Sequence, residues 1–465
     1  MPLVIPDGLV VSVSGFRGKV GDPLTPELVC GLAAAFGAFV IRSAGGEGAR
    51  GDILVGRDSR TSGAMLASAV SSGLVSVGCD VVDLGVVSTP TLMLAVEKSD
   101  ALGGIEVTAS HNPAEWNALK FAAPEGTFLD AQTMSAFLEF ALREDPPRAS
   151  WDELGTVSAD AGATARHVEA ILRLPQLDLS GLRAGEFRVA LDCVRGAGAT
   201  IMPQLLDALG CEVVAINTEM DGRFPRDPEP TAENLGEFAD FVRRERADIG
   251  LAVDPDVDRL SLVNENGVPL GEDLTLALAS AVVLRRTPGV VVTNLSTSRV
   301  VEDVARAHGG ELVRSPVGEI NVARRMQSEN AVVGGEGNGG VILPDLHHTR
   351  DAPLASALIL QHLVDEGSTL SAAVDRWPTY TIVKTKISFP REALSDAYAE
   401  LERQLSSDRV DSADGARFDW EARRSWLHVR PSGTEPVVRL IAEAPDRNEA
   451  EELIERATAV LNGLM

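Results

Sequence analysis

The stretch RVALDCVRGAG (188–198), running through a helix-length segment to GCEVVAIN (210–217), reads as an apolar strand, a glycine-containing turn, a helix and a second apolar strand. The same pattern occurs twice more, from ILVGRDSR (53–60) to GCDVVDLG (78–85) and from VVVTNLSTS (290–298) to GGELVRSPVG (309–318). Between 16 and 20 positions separate the end of each first strand (Asp58, Asp192, Asn294) from the closing glycine (Gly78, Gly210, Gly310). That is room for one helix and its turns, the length of a right-handed βαβ crossover. Three such units predict three similar α/β domains with mostly parallel sheets, whose ligands gather at loops following strand C-termini. One large sheet with accidental similarity is the alternative.

From Thr381 the character changes. A strand (381–389), a helix (391–405), strands at 416–422, 425–432 and 437–444, and a closing helix (447–464) describe an α+β module. Polar or proline-bearing stretches at 143–153, 264–273 and 375–381 mark junctions, giving expected domains at 1–148, 165–265, 266–372 and 378–465.

Composition narrows the class. The 465 residues are 45% hydrophobic and 24% charged, which excludes disordered, collagenous and low-complexity chains. Acidic residues (68) outnumber basic ones (42), for a net charge of −26. A field of that sign repels nucleic-acid backbones and anionic headgroups, so neither nucleic acid nor membrane is an expected partner. An anionic ligand then needs a local basic pocket. Cys30, Cys79, Cys193 and Cys211 form no CxxC and have no histidine at ligand spacing, which fits a reducing cytoplasm rather than a zinc site or disulfide framework. The N-terminal MPLVIPDGLVV lacks a basic n-region, and the apolar run Leu274–Leu284 is far short of the ~20 residues that span a bilayer.

Four segments carry chemistry. Asp254, Asp256 and Asp258 follow the apolar strand IGLAV and alternate, so three carboxylates can converge on one hard cation of magnesium or calcium type. Glu265 falls at the twelfth position of an EF-hand counted from Asp254, but Arg259 stands where that loop requires glycine, and the loop is entered from a strand. Arg259 beside the carboxylates suggests a phosphate next to the metal; a solvated acidic turn is the alternative. In Thr108-Ala109-Ser110-His111-Asn112-Pro113, with Asn117 and Lys120 behind, Ser110 is a candidate nucleophile supported by proton carriers, or part of a polar turn ended by Pro113. Arg430-Pro431-Ser432-Gly433-Thr434-Glu435-Pro436 with Arg439 gathers hydroxyls, backbone N–H groups and two arginines into an anion cradle. Gly334–Gly340 matches neither a Walker loop nor a dinucleotide fingerprint, yet its Glu336 and Asn338 can exchange hydrogen bonds with sugar hydroxyls. Bland readings of these last two, a turn and a glycine-rich connector, stay open.

Taken together, TASHNP, DPDVDR, GGEGNGG and RPSGTEP resemble one family, the α-D-phosphohexomutases, in order and spacing along nearly the whole chain. SGFRG, VGRDSR, DCVRGAG, PEPTAENL and SPVGE fit it too, and GGEGNGG followed by HHTRDA is most similar to the archaeal-type and bacterial branch of amino-sugar phosphate mutases. The resemblance implies three similar mixed α/β domains and a C-terminal α+β lid around a central cleft. It implies Ser110 as phosphoryl carrier and metal ligand, Asp254, Asp256 and Asp258 as Mg2+ ligands, and Arg17, Lys120 and Arg259 as catalytic groups. Glu336, Asn338 and Gly318 would contact the sugar, and Arg430, Ser432, Gly433, Thr434 and Arg439 the distal phosphate. The implied reaction interconverts hexose 6-phosphate and 1-phosphate through a hexose 1,6-bisphosphate, with glucosamine 6-phosphate favoured and mannose or glucose phosphate as alternatives. The implied assembly is a monomer or homodimer. Gly340 and Glu319 stand where several relatives carry histidine, which shifts proton transfer onto Lys120 and Arg17. A phosphosugar-binding protein without catalysis and a phosphate-releasing hydrolase are the readings outside this class.

Overall fold

The computed structural model describes residues 2–45, 51–432 and 437–464. Four sheets follow one another along the chain. The first is seven-stranded: β1 (Val10–Ser12), β2 (Gly15–Lys19), β3 (Asp52–Arg57), β4 (Asp80–Val86), β5 (Gly103–Val107), β6 (Trp116–Ala122) and β7 (Val157–Ala159), in the order β1-β2-β6-β5-β3-β4-β7. The second holds β8 (Arg188–Asp192), β9 (Glu212–Ile216), β10 (Ile249–Val253) and β11 (Leu260–Asn264), ordered β11-β10-β8-β9. The third holds β12 (Val290–Asn294), β13 (Glu311–Ser315), β14 (Val333–Glu336) and β15 (Gly340–Ile342), ordered β13-β12-β14-β15.

Each sequence repeat is a βαβ unit with parallel strands: β3 with β4, β8 with β9, and β12 with β13. The structure extends the repeat beyond what the sequence pattern showed. In every copy a third strand (β5, β10, β14) joins the first in parallel and a fourth (β6, β11, β15) returns antiparallel. The turn from third to fourth strand is where TASHNP, DPDVDR and EGNGG fall. The third strands lie between parallel and antiparallel neighbours with helices on their faces, so IGLAV is buried at every position, as a two-sided parallel strand should be.

The fourth sheet is wholly antiparallel: β16 (Thr381–Ser388), β17 (Arg409–Asp411), β18 (Ala416–Trp420), β19 (Ser425–Pro431) and β20 (Val437–Ala444), ordered β16-β20-β19-β18-β17 and packed by the helices Leu394–Leu405 and Arg447–Asn462. β17 is an addition to the sequence reading; three residues are too few to show an alternation.

Cores are not divided one per sheet. The first and fourth sheets have their own, but a single cluster runs from Leu191 and Leu251 of the second through the helix Asp273–Arg286 to Val291 and Val333 of the third. That helix is buried from Thr275 to Leu284, which accounts for the apolar run seen there. A longer apolar segment belongs to the helix Pro26–Ala44, which by length and composition alone is long and apolar enough to cross a membrane, as a buried core helix also can be. Thr25 caps its first turn and Pro26 opens it. Its Val29 and Leu32–Gly37 are buried against the first sheet and the helix Gly63–Val75. The two helices meet at Gly73, where a Cβ would stand 2.2 Å from the Cys30 carbonyl oxygen, so any side chain there would part them. The four cysteines are unpaired.

Candidate active site

The first unit contributes a serine in an unusual backbone state. Ser110 has φ 48° in the turn after β5 and is 3% exposed. Its Oγ donates to Asp254 Oδ2 at 2.8 Å, bridging to the turn after β10. Asp254, Asp256 and Asp258 are fully buried, and one oxygen of each lies within 4.8 Å of the others.

Three carboxylates so close repel one another unless cations offset them. Lys120 on β6 reaches Asp256 Oδ2 at 2.6 Å, and the Thr89 hydroxyl donates to the same oxygen at 2.9 Å. Arg350 donates to Asp258 Oδ2 at 2.5 Å. Asp254 gains least, and burial with its neighbours Asp256 and Asp258 pushes its carboxyl well above the ordinary range. Asp256 goes the other way: against its burial, Lys120 holds it ionised far below that range. Lys120, in turn, is kept an ammonium by Asp256 despite burial. Asp256 Oδ1 and Asp258 Oδ1 remain buried without a hydrogen-bond partner. Oxygen-only groups with spare lone pairs suit a hard divalent cation.

Around this centre stand further cations. Arg17 on β2 donates to Asn112 Oδ1 at 2.7 Å, and Arg259 pairs with Glu229 at 3.1 Å. His111 Nδ1 lies 3.4 Å from Ser110 Oγ, and the nearby Arg259 together with burial lowers that imidazole well below its usual pKa, so it is neutral.

The sugar-loop candidates dock directly on the acidic turn. The Leu260 N–H donates to the Gly339 carbonyl at 3.0 Å, and Arg350 spans from Asp258 to Glu336 Oε2 at 2.7 Å. Glu336 Oε1 also accepts from Asn294 Nδ2 at 2.8 Å and from the Gly318 N–H at 3.0 Å. Asn338 sits two residues on, its Oδ1 accepting from the Gly340 N–H. Glu319 joins the cluster through Arg350 at 3.2 Å, its carboxyl pushed up to about 7 by burial.

A second, separate group lies on the fourth sheet. Arg430 faces Arg439 across β19 and β20, and Arg439 faces Lys386 across β20 and β16, placing three cations in one row. Arg430 also pairs with Asp414, whose Oδ2 accepts from the Val317 N–H beside Gly318. Arg391 donates to the Ser432 carbonyl. Gly433 and Thr434 lie outside the described residues. Arg350, within HHTRDA, and Lys386 carry no local signal in the sequence and join these groups only through the fold. A further buried cluster, His167, His347 and Asp351, joins different elements by hydrogen bonds and holds none of the groups above.

Models of the phosphoglucomutase/phosphomannomutase domains match the chain end to end: alpha/beta/alpha domain I at 9–146, II at 165–267 and III at 271–380, and the C-terminal domain at 386–460. A "Probable phosphoglucosamine mutase" of Methanopyrus kandleri is 39% identical, the match covering 96% of each chain. A "Phosphoglucomutase/phosphomannomutase" of Thermococcus kodakarensis is 37% identical over 98% of each. Among solved structures, a phosphoglucomutase/phosphomannomutase family protein from Burkholderia thailandensis superposes with a TM-score of 0.82 at 26% identity, covering 98% of this chain and 97% of its own.

Proposed function

The chain belongs to the phosphoglucomutase/phosphomannomutase family, the α-D-phosphohexomutases, and on that premise we propose that Ser110 carries a phosphoryl group between the 6- and 1-oxygens of a hexose phosphate, with glucosamine phosphate as the preferred substrate. The observation that carries this reading is the 2.8 Å contact of Ser110 Oγ with the acid triad, beside Lys120 and Arg259. Asp254, Asp256 and Asp258, with an oxygen of phosphorylated Ser110, would hold Mg2+. When bound, that ion offsets the charge of the transferring phosphoryl group.

This chain's own residues supply the rest. Phosphorylated Ser110 carries about −1.5 to −2 charge, which meets Arg17, Arg259 and the Lys120 ammonium. O1 of a bound hexose 6-phosphate attacks the phosphorus as the Ser110 Oγ–P bond breaks, the O1 hydroxyl losing its proton and Ser110 Oγ gaining one; the 1,6-bisphosphate then turns over, and Ser110 Oγ–H takes the 6-phosphoryl group as O6–P breaks and O6 regains a proton. Such a transfer needs positioning and charge neutralisation more than covalent chemistry. Glu336 and Asn338 orient the sugar from the Gly318 side. Arg430, Ser432 and Arg439, joined by Lys386, attract the distal phosphate into an otherwise acidic protein. Gly433 and Thr434 belong to the same proposed cradle.

The test is a parallel mutase assay on glucosamine, mannose and glucose 6-phosphates with Mg2+ and a trace of the matching bisphosphate. A kcat/KM preference for glucosamine phosphate supports the full reading. Preference for mannose or glucose phosphate, as the name of the Thermococcus kodakarensis relative would suggest, keeps the mechanism and overturns the substrate. No turnover on any of them overturns the mutase.

A further inference from the structure

Arg60, in the turn after β3, is 1% exposed and uses every N–H of its guanidinium. Nε donates to Asp58 Oδ2 at 2.9 Å. Nη1 donates to the carbonyls of Pro113 (2.7 Å) and Trp116 (3.0 Å), and Nη2 to those of Ser110 (2.6 Å) and Asn112 (2.7 Å). Four of its five bonds therefore end on the backbone of the turn that carries the serine. A lysine, with three donors on a point charge, cannot reproduce that fork.

The other end of the same peptide is held as well. The Ser110 N–H donates to Thr108 Oγ1 at 3.0 Å, and the Thr108 hydroxyl donates to Asp58 Oδ2 at 2.6 Å, the oxygen that also accepts from Arg60. Asp58 Oδ1 accepts the Arg60 backbone N–H at 2.9 Å. Ser110 N–H and C=O are thus both tied to one buried acid, through Thr108 on one side and Arg60 on the other. Between them Ser110 holds φ 48°, a conformation that a non-glycine residue keeps only where its surroundings over-determine it. The second unit closes the arrangement: the Phe224 ring lies 4.9 Å from the Arg60 guanidinium, and Gly222 packs so closely that a Cβ there would come within 2.6 Å of Arg60 Cα.

We infer that Arg60, anchored by Asp58, is a positioning residue for phosphoryl transfer: it fixes the backbone of Ser110 so that Oγ points at the acid triad. This rests on Ser110 being the carrier. All five guanidinium N–H groups of Arg60 end on protein acceptors, so its loss should appear in the transfer step and not in substrate affinity.

The experiment follows transfer of labelled phosphoryl from a hexose 1,6-bisphosphate to the full-length protein, with steady-state kcat and KM and the melting curve measured alongside. Arg60→Lys is expected to fold with a lowered melting temperature, because buried carbonyls lose partners, to keep KM within about threefold and to lose about a hundredfold in kcat, the size of a small misplacement of a reacting group. In Arg60→Ala, millimolar guanidinium ion is expected to restore at least about tenfold of kcat by refilling the fork. Folded Arg60→Lys with wild-type kcat, or with its loss confined to KM, overturns the proposal, as does absence of rescue in folded Arg60→Ala. If Arg60→Ala does not fold, Thr108→Val decides: it removes the acceptor of the Ser110 N–H, and a folded variant with undiminished kcat is equally fatal. Wild-type protein that takes up no label overturns instead the carrier reading on which the inference stands.

Discussion

Two buried clusters in this protein each set three ligand-type atoms within 4.8 Å of one another, Asp254 with Asp256 and Asp258, and His167 with His347 and Asp351. By count and burial they are alike. They differ in how donors match acceptors. In the histidine cluster both Nε2 atoms meet Asp351 Oδ2 at hydrogen-bond distance, 2.7 and 2.9 Å, while Asp351 Oδ1 caps the helix Ala352–Glu366 through the Leu354 N–H at 2.8 Å. His167 Nδ1 reaches the Thr91 hydroxyl at 2.9 Å, so the cluster staples the helices Thr89–Glu97 and Ala163–Leu172 to the third unit. That cluster leaves one ring nitrogen, His347 Nδ1, without a partner, whereas the acid triad leaves two carboxylate oxygens, Asp256 Oδ1 and Asp258 Oδ1, and borrows cations from Lys120 and Arg350. Proximity of ligand atoms does not by itself mark a cation site. Several carboxylate oxygens left over together are a stronger mark.

The largest expected effect is on the acid side of this contrast. Ser110→Ala, which removes the hydroxyl that Asp254 accepts, should cost about 10⁴-fold or more in steady-state mutase turnover with an unchanged circular dichroism spectrum; retained turnover would strip Ser110 of its role. Asp256→Asn should lower kcat by about 10³-fold, because it leaves Lys120 buried without its counter-charge and removes one proposed cation ligand.

Stability should then separate the two clusters by sign. Asp351→Asn, read by urea unfolding, should destabilise the protein by about 3 kcal/mol while leaving kcat within about threefold, since it breaks a buried staple that touches no reacting group. Asp254→Asn in protein stripped of divalent cations should instead stabilise by about 1 kcal/mol, because it relieves repulsion, even as turnover is lost. The same sign for both would collapse the comparison.

The smallest effect is the pH dependence of that cation-free stability. Asp254 has its folded pKa raised, so the native state holds a proton the unfolded chain releases, and its contribution to stability falls as pH rises above about 4. Asp351 has its folded pKa lowered, against burial, by His167, so its contribution is present above about 4 and is lost as pH falls. Each slope is at most about 1.4 kcal/mol per pH unit, and the corresponding Asn variant should flatten its own side of the profile alone.

Much of this was legible from residues. The βαβ repeats and the four chemistry-bearing segments are short stretches whose residue types speak locally. What the sequence hid was pairing at a distance. IGLAV reads as a strand on its own, but the membership of third and fourth strands in the repeat is hidden because their connecting turns differ in length, from the long turn 108–115 to the short one 337–339, which breaks any alignment by spacing. Arg350 binds Asp258 from 92 positions away, and Lys386 enters the basic row through strand register, which local pattern does not fix. Arg60 stood in a quoted stretch, VGRDSR, yet its partners are carbonyl oxygens, invisible in a string of side chains.

The bond from Ser110 to Asp254 spans 144 positions, and the contact from Arg350 ties Asp258 to Glu336. During synthesis from the N-terminus, the first sheet and its serine leave the ribosome well before the acids that face them exist. A nascent first unit therefore holds Ser110 beside Arg17 and Lys120 but without the acid triad, so the surroundings of the hydroxyl are complete only once the second unit has been made.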